Sequence, residues 1–138
     1  MASFELPRRR ALDQLIRPTR AEVSAPALRH NLEVARGLAA PAEVLAVVKA
    51  NAYGHGAVQV ARVLEDAGVA MLGVALVEEG LELRNAGVRS PILVMGGSYE
   101  GGYGPMVEHR LTPTLFRREH LAGLIAASVE RKRVVYSV

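Results

Sequence analysis

The fold is decided by the stretch Val44-Leu45-Ala46-Val47-Val48-Lys49, in which five consecutive apolar residues are followed directly by a cation. An unbroken apolar run of this length is typical of a parallel β-strand that is covered on both faces. Similar runs begin 20 to 25 positions apart along the rest of the chain, at Val69–Leu76, Pro91–Met95, Leu111–Phe116 and Arg133–Val138. This repeat predicts a series of strands separated by segments long enough to hold helices.

The segments between the apolar runs carry helix signals. Ser24 is a favourable N-cap for a helix with Pro26 in its first turn. Apolar residues at helical spacing predict a second helix that ends before Gly68 and a third over Val77–Asn85. A fourth helix is predicted over His120–Glu130, with one apolar face made of Leu121, Leu124, Ile125 and Val129. Strands that alternate with helices indicate an α/β fold with a parallel sheet.

The first twenty residues differ in charge from the rest of the chain. Residues 1–20 carry five arginines and two acidic residues, whereas residues 21–138 carry twelve basic and twelve acidic residues. A neutral body argues against a nucleic-acid-binding face. No apolar run is long enough for a secretory signal or a membrane span, which indicates a cytoplasmic protein with no membrane partner. We therefore expect a poorly ordered leader over 1–20 and a single α/β region over 21–138.

Five strand–helix units are fewer than the eight of a closed (β/α)8 barrel, which needs about 250 residues. The last apolar run, Arg133–Val138, is followed by no turn or cap. We expect a partial (β/α)8 TIM barrel that contains the first five or so strands, with a small open sheet as the alternative. The glycine-rich segments 96–97 and 101–105 predict loops between the third and fourth strands.

Lys49 is unusual because the chain has fifteen arginines but only two lysines. The other, Lys132, lies in a charged run that is typical of a solvated surface. Lys49 follows the first strand, and functional residues of parallel α/β proteins gather at the carboxyl ends of strands. A primary amine there can attack a carbonyl, which a guanidinium cannot. The alternative is a lysine that pairs with a carboxylate or extends to solvent at the strand end.

The residues after Lys49 resemble a known motif. The segment Val47-Val48-Lys49-Ala50-Asn51-Ala52-Tyr53-Gly54-His55-Gly56 closely resembles the pyridoxal 5'-phosphate attachment motif of bacterial alanine racemases, and the resemblance extends from about Arg20 to Val138. It implies a cofactor-binding barrel in which Lys49 holds pyridoxal 5'-phosphate covalently and exchanges the α-proton of alanine on the D-alanine side. It also implies that Tyr53 binds the cofactor phosphate. The whole enzyme would be a homodimer that interconverts L-alanine and D-alanine for peptidoglycan.

Other parts of the family site have no counterpart in this chain. The tyrosine on the opposite face and the arginine at the pyridine nitrogen come later in the family sequence, so we expect the 138 residues alone to be inactive. The alternatives are a racemase of another amino acid and a non-catalytic pyridoxal-phosphate-binding module. Without cysteine, and with scattered histidines, the sequence predicts no metal site. His55 is expected to bond backbone, and Glu78, Glu79 and Glu82 to form a solvated helix face.

Overall fold

The computed structural model describes residues 21–97 and 99–133. These residues form one parallel sheet in the order β1-β2-β3-β4, with the strands β1 (Leu45–Val47), β2 (Met71–Val74), β3 (Ile92–Val94) and β4 (Thr112–Pro113). Each strand lies inside one of the first four apolar runs, so the predicted parallel α/β fold is confirmed. The leader 1–20 and residues 134–138 of the fifth run lie outside the described residues.

Helices follow or precede every strand. They are α1 (Ala25–Ala39), α2 (Ala57–Asp66), α3 (Val77–Asn85), α4 (Tyr103–Glu108) and α5 (Arg118–Arg131), with a 3-10 turn at Glu100–Gly102. The predicted N-cap is confirmed, because Ser24 Oγ accepts a hydrogen bond from the Ala27 amide at 3.3 Å. No helix in this part of the chain is long and apolar enough to cross a bilayer.

The glycine-rich segment 101–105 is not the loop that the sequence predicts. Its residues complete the 3-10 turn and begin α4. Pro105 is compatible with this arrangement, because a proline in the first turn of a helix leaves no internal hydrogen bond unmade. These glycines therefore lie where the chain passes from a 3-10 turn into an α-helix.

Among the described residues, the helices cover one face of the sheet. Leu72, Val74, Ile92 and Val94 point toward the helices and are fully buried. The opposite face carries the register row Val47–Gly73–Leu93–Thr112, and Val47 in that row is 36% exposed. The expectation of strands covered on both faces is wrong for this part of the chain, and the one-sided cover is the arrangement of a barrel wall with its inner face open.

The apolar face predicted for α5 is only partly correct. Leu124 is buried, but Leu121, Ile125 and Val129 are 47%, 55% and 73% exposed. The three exposed residues recur every four positions, and at 3.6 residues per turn they form a stripe roughly 130° away from the buried pair Leu124 and Ala127. The prediction of a single apolar face therefore combined two stripes that lie on different sides of the helix, one buried and one exposed.

The edge of the sheet at the amino ends of the strands is held by Arg84. Its Nε donates to the His109 carbonyl at 3.0 Å, and its Nη1 donates to the carbonyls of Val88 and Ser90 at 2.8 and 2.9 Å. Its Nη2 donates to the Arg110 carbonyl at 3.2 Å. Burial lowers the pKa of this guanidinium from its ordinary value, although the neighbouring Glu65 opposes that effect. Arg84 thereby fixes the loops that precede β3 and β4.

Candidate functional site

Lys49 lies at the carboxyl edge of the sheet, where the sequence predicts it. The Val48 amide donates to the Gly73 carbonyl at 2.8 Å and so extends the sheet pairing one residue beyond β1. Val48 is 2% exposed, whereas Lys49 is half-buried. The ammonium group is thus carried by the first residue beyond the paired strand, within reach of solvent.

The chain after Lys49 forms a left-handed turn, which we call the Lys49 turn (Lys49–Tyr53). Ala50, Asn51, Ala52 and Tyr53 have φ angles of 50°, 54°, 51° and 54°. This region costs about 1 to 2 kcal/mol for each residue other than glycine, or roughly 4 to 8 kcal/mol for four. Such strain persists only where the surroundings hold it, and it concentrates at functional sites. The strained turn therefore marks this edge of the sheet as the candidate site.

Two side chains of the loop hold the Lys49 turn from its far end. Asn51 Oδ1 accepts a hydrogen bond from the Ala57 amide at 2.8 Å and so caps the start of α2. His55 Nδ1 lies 2.9 Å from the Ala52 carbonyl oxygen. The expectation that His55 bonds backbone is confirmed. The contact of Asn51 with the Ala57 amide was not found from the sequence, because six positions separate the two residues and the N-cap position itself is occupied by Gly56.

Glu79 of α3 holds the Lys49 turn from its near end. Its Oε1 accepts from the Ala50 amide at 2.6 Å, and its Oε2 accepts from the amides of Ala75 and Leu76 at 2.8 and 3.1 Å. The prediction of a solvated helix face is wrong for Glu79, which is half-buried, while Glu78 and Glu82 are exposed. The sequence did contain a signal that Glu79 makes hydrogen bonds, because a glutamate at the third position of a helix favours a bond to the backbone amide at the helix start.

The surroundings of Glu79 favour its charged form. Burial by itself raises the pKa of the carboxyl, but the hydrogen bonds from the amides of Ala50, Leu76 and Ala75 and the charge of Lys49 together outweigh it. The pKa of Glu79 consequently lies below its ordinary value of 4.5. A carboxylate that stays ionised in this way places a fixed negative charge beside Lys49.

Tyr53 ends the Lys49 turn with a largely exposed side chain, 62% of which is accessible to solvent. One amine and one phenol hydroxyl thus lie at the two ends of a single turn. His55 and Glu79 also contact this turn, whereas Glu78 and Glu82 are exposed on α3. In the described part of the chain, no three histidine, aspartate or glutamate side chains are grouped as a metal ion would require.

The ends of β2 and β3 approach closely beside this turn. The Gly96 amide donates to the Ala75 carbonyl at 3.0 Å. A Cβ added at Gly96 would lie 2.4 Å from that carbonyl oxygen, so only glycine fits. Gly97 follows with a φ of 79°. The loop that the sequence predicts at 96–97 is confirmed, and both glycines also line a cavity together with Leu76 and Tyr99.

Comparison with known proteins agrees with the resemblance of the motif. The family model described as "Alanine racemase, N-terminal domain" matches residues 23–136. A curated relative, the alanine racemase of Sorangium cellulosum (strain So ce56), is 50% identical over 119 residues, which cover 80% of this chain and 31% of the relative. The chain therefore spans about a third of the length of such relatives.

Solved structures share the fold over the same region. The alanine racemase from D-cycloserine-producing Streptomyces lavendulae matches with a TM-score of 0.75 at 35% identity, over 82% of this chain and 30% of that one. The histidine racemase from Leuconostoc mesenteroides subsp. sake matches with the same TM-score at 28% identity, over 83% of this chain and 31% of that one. Proteins named for two different amino acids thus share this part of the fold.

Proposed function

Because the chain belongs to the family of alanine racemase N-terminal domains, we propose that it forms the part of an amino-acid racemase that carries the cofactor lysine. The observation that supports this proposal is the position of Lys49 at the carboxyl edge of β1, at the start of a strained turn. The cofactor is pyridoxal 5'-phosphate. The racemase reaction belongs to the whole protein, since the chain covers only 31% of its Sorangium relative.

The residues of the Lys49 turn fit such a cofactor. When bound, pyridoxal 5'-phosphate supplies an electron sink that stabilises a carbanion next to an amino group. Lys49, which is half-buried at the edge of the sheet, supplies the primary amine that would attach the cofactor aldehyde. Once the substrate amine has replaced it, Lys49 Nζ would accept the α-proton on one face of the substrate in one direction of the reaction and donate a proton to that same face in the reverse direction. The Tyr53 hydroxyl donates a hydrogen bond to the cofactor phosphate.

Racemisation needs a second acid–base group on the opposite face of the substrate, because a proton removed from one face must be replaced on the other. We propose that this group lies outside the 138 residues, in a partner subunit of a homodimer. The isolated chain is then inactive as a racemase. The non-catalytic alternative is a pyridoxal-phosphate-binding module. It would hold the cofactor but would not racemise an amino acid, even as part of a longer protein.

The proposed substrate is alanine, the amino acid named in the Sorangium and Streptomyces relatives. The D-alanine product would serve peptidoglycan synthesis in the cytoplasm. The second candidate is a racemase of another amino acid, which the match to a histidine racemase favours. The two candidates share the Lys49 turn and differ in the substrate that they turn over.

The two-lysine composition makes a direct test possible. The chain is prepared alone and as a completed protein, in which it is followed by the region of the Sorangium relative that lies beyond the match. Each is incubated with pyridoxal 5'-phosphate, reduced with borohydride and analysed by peptide mass spectrometry. We expect label on Lys49 of the completed protein in large excess over the exposed Lys132. Equal label on the two lysines would exclude the cofactor assignment.

Turnover separates the remaining candidates. Racemisation of L-alanine and L-histidine is followed by chiral chromatography for the completed protein and for the 138-residue chain. We expect D-alanine from the completed protein and no product from the chain alone. Because the added region comes from an alanine racemase, D-alanine tests catalysis and not the choice of substrate; faster production of D-histidine would favour the second candidate, and label without any turnover would favour the binding module. Substantial turnover by the chain alone would contradict the assignment of the second acid–base group to another region.

A further inference from the structure

We propose that Glu79 is a positioning residue for Lys49, which it orients through the backbone amide of Ala50. The inference rests on the proposed role of Lys49 as the cofactor lysine. Glu79 lies on α3, after the second strand, and reaches a residue 29 positions earlier in the chain. It thereby joins the Lys49 turn to the loop between β2 and α3.

The bond to Ala50 acts on the peptide group that Lys49 itself helps to form. A peptide unit is planar, so fixing the Ala50 amide fixes the orientation of the Lys49 carbonyl and the direction in which the Lys49 Cα is held. The bond is short, at 2.6 Å, and its acceptor carries a charge. Charge-assisted hydrogen bonds of this kind are stronger than neutral ones. Ala50 is the first of the four strained residues in the Lys49 turn, and its amide makes the strongest side-chain contact of the turn.

Ordinary helix capping does not account for this contact. A glutamate in the first turn of α3 needs only the Leu76 amide to act as a cap, and Oε2 makes that bond at 3.1 Å. Oε2 also accepts from the Ala75 amide. The other oxygen, Oε1, is left for Ala50 and adds nothing to α3. One carboxylate therefore caps a helix with one oxygen and holds the Lys49 turn with the other.

Replacement by glutamine tests the contact with little change of shape. Glutamine has one carbonyl oxygen, which accepts hydrogen bonds, and one NH2 group, which only donates them. The NH2 group must therefore face either the Ala50 amide or the amides of Ala75 and Leu76, and these are donors too. Glu79→Asp is the second variant, because it keeps the charge near the start of α3 but is too short to reach Ala50. Glu82→Gln is the matched control, since Glu82 lies on the same helix and is exposed.

Two measurements read out the effect. Amide hydrogen exchange of the 138-residue chain, followed by NMR, reports on the Ala50 amide, with the Ser90 amide, which Glu65 holds outside the Lys49 turn, as the reference. The ratio of label on Lys49 to label on Lys132, after pyridoxal 5'-phosphate and borohydride, reports on the lysine of the completed protein. For Glu79→Gln and Glu79→Asp we expect Ala50 exchange to accelerate about tenfold to hundredfold and the label ratio to fall about tenfold. Glu82→Gln leaves both unchanged.

The outcomes separate this inference from the proposed function. Wild-type protein that labels Lys49 no more than Lys132 would overturn the proposed function and this inference with it. Preferential label on Lys49 in the wild type that persists in Glu79→Gln and Glu79→Asp, while Ala50 exchange accelerates, would overturn the positioning role alone. Unchanged Ala50 exchange in both variants would show that the bond itself does not hold the turn, and would overturn the inference as well.

Discussion

Glu79→Gln is expected to destabilise the folded chain at neutral pH. Three backbone amides donate to the two oxygens of this carboxylate, at 2.6, 2.8 and 3.1 Å. Glutamine removes the charge and forces at least one donor to face another donor. A hydrogen bond to a charged group contributes about 1.5 to 3 kcal/mol, and Glu79 is only half-buried, so we expect a loss of about 2 kcal/mol. For a chain of this length, that loss lowers Tm by about 8 °C.

The loss should depend on pH in a defined direction. Because the folded pKa of Glu79 lies below the unfolded value, its carboxylate contributes stability that is fully present above the unfolded pKa. That contribution is lost as the pH falls through the folded pKa, where the wild-type side chain becomes protonated. The difference between the wild type and Glu79→Gln should therefore be widest near pH 7 and shrink as the pH falls below about 4.

Urea unfolding followed by far-UV circular dichroism at pH 7, 5 and 3.5 measures this difference directly. Glu82→Gln, on the exposed side of the same helix, is the control and should stay within about 0.5 kcal/mol of the wild type at every pH. A difference for Glu79→Gln that stays constant from pH 7 to 3.5, or widens on acidification, would refute the reasoning. Either result would mean that the ionised form of Glu79 is not the form that the fold stabilises.

Four further substitutions test the surrounding structure. Arg84→Ala removes a side chain bonded to four backbone carbonyls and should lower the free energy of unfolding, measured in urea, by about 3 kcal/mol; a loss below about 1 kcal/mol would contradict this. Gly96→Ala should lower Tm by about 4 °C or more through its clash with Ala75, whereas Gly37→Ala, with open space around its Cβ, should raise Tm by a few degrees. Lys49→Arg should abolish borohydride-fixed label at position 49 while Lys132 reacts as before, since only a primary amine attaches the cofactor.

The strands were predictable because short apolar or β-branched runs recur every 20 to 25 residues, and four of these runs contain the four described strands. The cover of the sheet was not predictable from the same runs, because helices pack on only one face of it among the described residues. The bounds of Val77–Asn85 were also predictable, because Gly87 adopts a left-handed conformation just after that helix. The face of α5 was not, since the sequence shows which residues are apolar but not which neighbour each stripe meets.

The site was predictable only where a residue type is chemically required. Lys49 stands out because the chain uses arginine at nearly every other cationic position. Glu79 does not stand out, because it lies between two other glutamates that are exposed, and its partner Ala50 is 29 residues away. The left-handed turn is equally hidden, since alanine disfavours that conformation and gives no local signal for it.

The position of Lys49 consequently depends on the surrounding fold as well as on its motif. The left-handed conformation of four residues costs roughly 4 to 8 kcal/mol. The bond from Glu79 at about 2 kcal/mol and those of Asn51 and His55 at about 1 kcal/mol each offset about 4 kcal/mol of that cost. Two of these three side chains lie within the motif Val47–Gly56, but the strongest contact comes from α3. The motif placed on another strand-to-helix loop would lack the carboxylate that holds Ala50, and its lysine would lose a fixed direction.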